Sequence, residues 1–268
     1  MNESKQTMCF VGYIDLLGYK AYFERPEANT EEFLTTIEKA IESVYTAIDD
    51  NAHTDFFLLR RYGGDSITPI ECKPKIRIFS DNILLSIECQ NNDIANALIL
   101  MQLARILGDI QNRFISEHGL YLRGGLAKGM FYINEQLVFG EALLKSIELE
   151  HSAVTPRIII ESELIEYFLE KSIIIKEETL ENTHLEVEDW LFYYLGLTYK
   201  MDEDGLYFLN YLSGLHYEHL STHRDMLLNN ITPNMHNINV ICKYLWVMKY
   251  HNDVCCARGF EELMISSR

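Results

Sequence analysis

Two apolar stretches in the first third of the chain carry the period of β-strands. Residues 8 to 16 (MCFVGYIDL) read as a core strand, and Ile76 to Glu88 (IRIFSDNILLSIE) alternates and is rich in β-branched residues, the pattern of a hairpin. Helical spacing rules elsewhere. Asn29-Thr30-Glu31-Glu32 looks like a helix start, and Phe33, Ile37, Ala40, Ile41, Val44, Tyr45 and Ile48 recur on one face until about Asp49 to Asn51. Phe56 to Arg60 reads as a short strand, and Tyr62-Gly63-Gly64-Asp65 as a loop. Asp93 is the expected cap of a long core helix to His118, stopped by Gly119. Residues 120 to 133 and 136 to 139 form a second hairpin, followed by a helix over 141–152, a strand over 157–161 and a short helix from Ser162 to Phe168. Further on, residues 172–176, 191–197 and 207–211 are candidate strands, Gly205 marks a turn, and Thr222 to Val254 is helical in composition. This order predicts an α+β fold: an antiparallel sheet with helices packed on one face, plus a C-terminal strand and helix extension.

The polar interruptions of those strands matter most. Asp15 breaks an apolar strand, and a buried Asp costs several kcal/mol unless it is paired or bound to a cation. Ser80, Asp81 and Asn82 sit where the second apolar pattern should turn. Two readings fit that cluster: a turn built by residues that bond their own backbone, or a carboxylate held on a rigid hairpin tip for a metal. Two carboxylates at adjacent strand ends suit Mg²⁺ or Mn²⁺, since hard cations take oxygen ligands. A helix starting over Leu17 to Phe23, with Leu17, Gly18 and Tyr19 in its first turn, would aim backbone N–H groups at phosphate. An ordinary strand-to-helix turn at Gly18 accounts for the same residues.

Composition narrows the partners. The 268 residues are nearly half hydrophobic, enough for a sizeable core, and carry a formal net charge of −17. Such a polyanion does not attract nucleic acid non-specifically and is unfavourable at an anionic membrane surface. A triphosphate still binds where a metal and a few local cations cancel the field. The six cysteines form no CxxC pair and no Cys/His ligand spacing, which argues against zinc and for reduced thiols. His184, His216, His219, His223 and His236 show no ligand spacing either. The polar first seven residues do not read as a signal peptide, and no apolar run reaches membrane-spanning length, so a cytoplasmic protein without direct membrane contact is expected.

Four segments together resemble the class III nucleotidyl cyclases. Asp15-Leu16-Leu17-Gly18-Tyr19 is similar to the first-strand motif Asp-Ile-x-Gly-Phe of that superfamily, and Phe79-Ser80-Asp81-Asn82 to its second metal-binding hairpin, with Ser80 in place of the usual Gly. Leu122-Arg123-Gly124-Gly125-Leu126-Ala127-Lys128-Gly129 resembles the central Arg-x-Gly-Ile-x-x-Gly strand. Phe139-Gly140-Glu141-Ala142 and the helix ending Glu148-Leu149-Glu150 resemble the Gly-Asp-Ala-Val-Asn helix, before the strand at Pro156-Arg157-Ile158-Ile159-Ile160. The combination is most similar to the bacterial pyrimidine (uridylate or cytidylate) cyclases of Pycsar anti-phage systems and covers roughly residues 8 to 165.

The resemblance implies a palm-like (ferredoxin-like) sheet, a catalytic domain over residues 1–168, and residues 169–268 as an extension of it. It implies a homodimer with active sites at the interface and two divalent ions, Mn²⁺ or Mg²⁺, held by Asp15, Asp81 and the carbonyl of Leu16. Leu16, Leu17, Gly18 and Tyr19 would contact the triphosphate. UTP or CTP would become the 3′,5′-cyclic monophosphate plus diphosphate, a second messenger read by a separate effector in anti-phage defence. The family's Asn and Arg positions are Leu144 and Glu148 here, so Lys145 is the candidate transition-state cation, with Arg123 and Lys128 as alternatives. Arg77 stands where purine cyclases read the base, opposite Leu137; it is either a base contact or a residue on the exposed face of an edge strand, and Tyr62 is a second base-contact candidate. The alternatives are a degenerate cyclase fold that binds a nucleotide without turnover, and a purine cyclase or an oligonucleotide-forming polymerase.

Overall fold

The computed structural model describes residues 5–18, 30–62, 73–171 and 199–266. In chain order they form β1 (Thr7–Leu16), α1 (Thr30–Tyr62), β2 (Lys75–Phe79), β3 (Asn82–Glu88), α2 (Asp93–His118), β4 (Leu122–Ile133), β5 (Val138–Gly140), α3 (Glu141–Ser152) and β6 (Ile158–Ile160). Helix α4 over residues 162–171 follows, then β7 (Tyr199–Met201), β8 (Tyr207–Leu209), α5 (Tyr217–Asn234) and α6 (Ile238–Ala257). The sheet order is β2-β3-β1-β4-β6-β8-β7, with β5 paired to the far end of β4.

The fold is α+β, and it departs from expectation in two details. The sheet is mixed, because β4 and β6 run parallel. Helices also cover both faces. Alternate residues of β1 explain why: Phe10, Ile14 and Leu16 enter the core beneath α1 and α2, while Cys9 and Val11 pack on the opposite face with Leu84, Phe131 and Ala142 of α3. A two-residue side-chain period with both phases apolar demands cover on both sides. On the α3 face the β4–β5 arm folds over the sheet, with Ile133 and Val138 against the same cluster.

Several boundaries moved. Residues 56–60 are not a strand; α1 runs on to Tyr62, since an established helix extends at little cost through good formers such as Leu58, Leu59 and Arg60. The cap of α2 is Asn92, whose side chain accepts from Ala95 N at 3.0 Å, and Gly119 ends the helix at φ 66°. The stretch over 222–254, helical in composition, forms two helices, because Pro233 near the end of α5 cannot donate to the ladder, and the chain turns at Met235 to Asn237 before α6. Strand β8 is shorter than 207–211 and pairs with β7, which periodicity did not mark. The helix start beyond Gly18, the strand at 172–176, the strand at 191–197 and residues 63–65 lie outside the described residues.

Behind the sheet, β8, α5 and α6 build a further core that includes Ile115 of α2 and Tyr121 at the head of β4. Two fully buried histidines sit within it: His223 Nδ1 is 3.2 Å from His251 Nδ1, His223 Nε2 is 3.5 Å from Tyr211 OH, and His251 Nε2 is 3.1 Å from the Leu263 carbonyl. The carbonyl only accepts, so His251 Nε2 carries a proton and its Nδ1 accepts from His223; Tyr211 OH then donates to His223. Both rings must be neutral for this chain of bonds. Burial, then His251, pushes His223 from 6.5 down to about 3; burial also lowers His251, with the Leu263 carbonyl opposing. The neutral pair therefore stabilises fully above the ordinary histidine value, and that contribution is lost as pH falls from 6.5 toward 3. Thermal midpoints measured from pH 7.5 to 4.5 should decline below pH 6.5, and a His223→Phe variant should decline less. A flat wild-type profile across that range would refute the pair's role.

Candidate functional site

The site lies on the α3 face, where β1 ends and β4 begins. Asp15 stands between Asn82 of β3 and Arg123 of β4 in the strand register. The β2–β3 turn holds Ser80 at φ 56° and places Asp81 beside the end of β1, where its carbonyl accepts from Leu16 N at 2.9 Å. Asn82 orients this tip: its Nδ2 donates to Asp81 Oδ1 at 3.1 Å, and its Oδ1 accepts from Tyr13 OH at 2.5 Å. The turn reading and the carboxylate reading of residues 80–82 are thus both realised in one element.

Arg123 occupies the middle of the cluster. Its Nε donates to Asp15 Oδ2 at 3.1 Å and lies 2.5 Å from Glu150 Oε1. The second approach is an ion pair without hydrogen-bond geometry, and Glu150 Oε1 is a buried oxygen with no hydrogen bond. Glu150 gets there because α3 buries Ala142, Ser146 and Glu150 as one stripe against β4. Burial raises the pKa of Asp15 above the usual carboxylate range despite Arg123, with Asp81 adding to the rise. Burial likewise raises Glu150 against the pull of Arg123. Tyr13 is pushed up to about 12 by burial and by Glu150, Asp15 and Asp81. Three carboxylates thus share one small region with a single guanidinium among them.

Among the described residues, no three His, Cys, Asp or Glu side chains converge on one metal-sized point. Asp15 and Asp81 are the residues that could hold a Mg²⁺-like ion, which uses one or two carboxylates and completes its shell with water and substrate phosphate. Arg123 already lies against Glu150 Oε1, so an incoming cation at Asp15 need not strand the guanidinium.

The remaining expected residues fall in different places. The N–H groups of Leu16 and Leu17 bond the carbonyls of Asp81 and Tyr121, at 2.9 and 2.8 Å, so neither is an open phosphate donor. Gly18 turns at φ 87° just beyond; Tyr19 lies outside the described residues, as does the side chain of Tyr62 at the end of α1. Arg77 donates to the Asn134 carbonyl at 3.1 and 2.7 Å, which clasps β2 to the β4–β5 turn that also carries Leu137. Lys145 Nζ pairs with Glu161 at 2.9 Å and Glu141 at 3.2 Å and reaches the Lys128 carbonyl. Those bonds, Glu161 first, raise its pKa. Lys128 is five positions along β4 from Arg123, roughly 16 Å of extended strand, so Lys145 does not meet Asp15 within one chain. Lys128 itself lies over the Phe10 and Tyr167 rings on the opposite face of the sheet.

Two members of the cluster were not read as site residues from the sequence. Glu150 had a signal: it is the one charged position in the buried 142/146/150 stripe. Lys243 of α6, whose charge is felt by Asp15, had none, because nothing local ties it to a strand over two hundred residues earlier.

No family model matches the chain, and no curated protein matches it. Among solved structures it is similar to the adenylyl cyclase CyaB from P. aeruginosa, with 11% identity, a TM-score of 0.39, and 62% of this chain and 82% of that chain covered. It is similar to the monomeric guanylyl cyclase domain of the RhoGC fusion protein from the aquatic fungus Blastocladiella emersonii, with 12% identity, a TM-score of 0.37, and 62% and 87% covered. A bacterial light-regulated adenylyl cyclase is similar at 9% identity and a TM-score of 0.42, over 84% of this chain and 58% of that one. These are distant likenesses. Among the described residues, no helix is long and apolar enough to cross a membrane.

Proposed function

We propose that the chain is a metal-dependent nucleotidyl cyclase that converts UTP or CTP to the 3′,5′-cyclic monophosphate and diphosphate. The observation that carries the reading is the juxtaposition of Asp15, near the end of β1, and Asp81, in the β2–β3 turn, through the bond from Leu16 N to the Asp81 carbonyl. Asp15, Asp81 and the Leu16 carbonyl would hold the divalent ions. When bound, such ions supply Lewis-acid activation of the 3′ hydroxyl and charge for the departing diphosphate. The chain's own residues do the rest. Tyr13 and Asn82 fix the hairpin tip so that Asp81 cannot swing away. Arg123, retained by Glu150, would give up its bond to Asp15 and keep one cation beside the phosphates. The preference for a pyrimidine rests on the resemblance and on Arg77, held at the turn that carries Leu137.

A homodimer belongs to this reading. Lys145 does not reach Asp15 in its own chain, and Leu137, Phe139 and Leu144, the last 64% exposed, leave apolar surface around β5 and α3 that a second copy would cover. The product would serve as a second messenger in anti-phage defence, in a cytoplasmic setting, through a separate effector. One observation favours a second reading, a nucleotide-binding protein without turnover: Asp15 is already paired by Arg123, and Leu144 and Glu148 replace the family's stabilising groups.

The test is incubation with Mn²⁺ and each of ATP, GTP, CTP and UTP, with products separated by mass and Asp81→Ala in parallel. A cyclic pyrimidine nucleotide that disappears in the variant is expected. A cyclic purine product would replace the substrate assignment. Triphosphate binding by calorimetry with no product from any of the four would establish the second reading instead.

A further inference from the structure

Two carboxylates compete for one hydrogen of Arg123. The Nε of a guanidinium carries a single proton. Here it goes to Asp15 Oδ2 at 3.1 Å, while Glu150 Oε1, 2.5 Å from the same nitrogen, is buried and receives no hydrogen bond. The competitors differ in access. The Asp15 side chain is 17% exposed, near the end of β1, with the Asp81 turn beside it. The Glu150 side chain is 4% exposed, in the stripe that α3 buries on the sheet. Its second oxygen is 3.5 Å from the exposed His151, which pairs with it only when protonated. An ion from solvent therefore reaches Asp15 more readily than Glu150.

Charge sets what the cluster accepts. Among the described residues, Asp15, Asp81 and Glu150 outnumber the cations that act on Asp15, Arg123 and Lys243. The surplus is negative, so the cluster draws a cation before it draws a phosphate. A divalent ion on Asp15 takes the oxygen that Arg123 now uses, and a half-buried guanidinium that loses its partner needs another. Glu150 Oε1 stands at the same nitrogen, so the exchange needs only a small rotation of the Nε–H. We propose that Arg123 is an internal occupant of the metal site and Glu150 the residue that positions it: a divalent ion displaces the guanidinium from Asp15, and Glu150 takes over its N–H. Without the ion, Asp15 is sealed by an arginine of its own chain. With the ion, the same arginine stays in the site to meet a triphosphate. This inference rests on the metal-site part of the reading above, and it sets the order in which the site fills: ion first, triphosphate second.

Mg²⁺ alone, without nucleotide, tests it. In isotope-labelled wild-type protein, the Nε–H resonance of Arg123 is identified by its absence in Arg123→Lys and followed as Mg²⁺ is added. It should shift as the ion binds and stay protected from exchange with water, because a buried carboxylate has replaced a more exposed one. A resonance that stays put while calorimetry shows the ion bound would mean that Arg123 is not displaced, and the inference falls. A resonance lost to solvent exchange would mean that Glu150 does not receive it, and the inference falls as well. Glu150→Met removes the second acceptor and should weaken Mg²⁺ about tenfold or more, the usual effect of losing a hydrogen bond to a charged group. Equal Mg²⁺ affinity in a Glu150→Met protein that melts like the parent would refute the role of Glu150. If wild type binds no Mg²⁺, this inference and the metal site fall together. If the resonance behaves as expected but neither UTP nor CTP binds in Mg²⁺, the nucleotide reading falls and the exchange at Asp15 stands.

Discussion

Asp15→Asn is expected to lower cyclic product formation by about 1,000-fold or more, because it removes the central metal-ligand charge on which both proposed ions depend. The substitution is nearly isosteric and keeps an oxygen to accept from Arg123. Arg123 also keeps Glu150, 2.5 Å away, so the guanidinium is not left without a counter-charge. Folding should survive at a cost of about 1 kcal/mol, the ordinary net value of a hydrogen bond. Product formation followed by mass, with the thermal midpoint measured on the same sample, separates the two effects. A variant that folds and retains turnover within tenfold would remove Asp15 from the chemistry and return it to a strand-end ion pair.

Gly125→Ala is expected to give the largest loss of stability. Gly125 lies in β4 directly beneath α3, and a Cβ there would sit 2.2 Å from the Ser146 carbonyl oxygen and 2.6 Å from the Leu149 Cβ. The first obstacle is backbone, so no rotamer change relieves it; the helix must lift from the sheet. Overpacking of this kind costs about 3 kcal/mol or more, or roughly 10 °C in the melting midpoint of a chain this size. The displacement reaches the site, because the same helix carries Glu150 one residue beyond Leu149. Triphosphate binding should therefore weaken even below the melting range. Calorimetric unfolding of the variant checks the first claim, and an unchanged midpoint would mean that α3 does not pack on β4 as described.

Much of the fold was readable because alternation and helical spacing are local. The strand over 8–16, the hairpin over 76–88 and the helices over 93–118 and 141–152 stand close to their expected bounds. The errors also have local causes. A Phe-rich stretch at 56–60 has strand propensity, but it continues an existing helix. A helical composition over 222–254 concealed the stop at Pro233. One-sided helix packing was expected from element order, yet both phases of β1 are apolar and needed cover on both faces.

The candidate site divides the same way. Periodicity alone sets Asp15 on the face of β1 shared with Cys9, Val11 and Tyr13, and sets Glu150 on the buried stripe of α3. A turn composition alone sets Asp81 at a hairpin tip. Which residues meet was decided by tertiary structure. Pairing of β1 between β3 and β4 brought Asp15, Asp81 and Arg123 together, and docking of α3 added Glu150. Strand partners and helix docking are chosen by the summed fit of whole faces, which no short window of sequence contains. The chemistry-bearing residues were therefore visible one by one, and their assembly into a site came only with the fold.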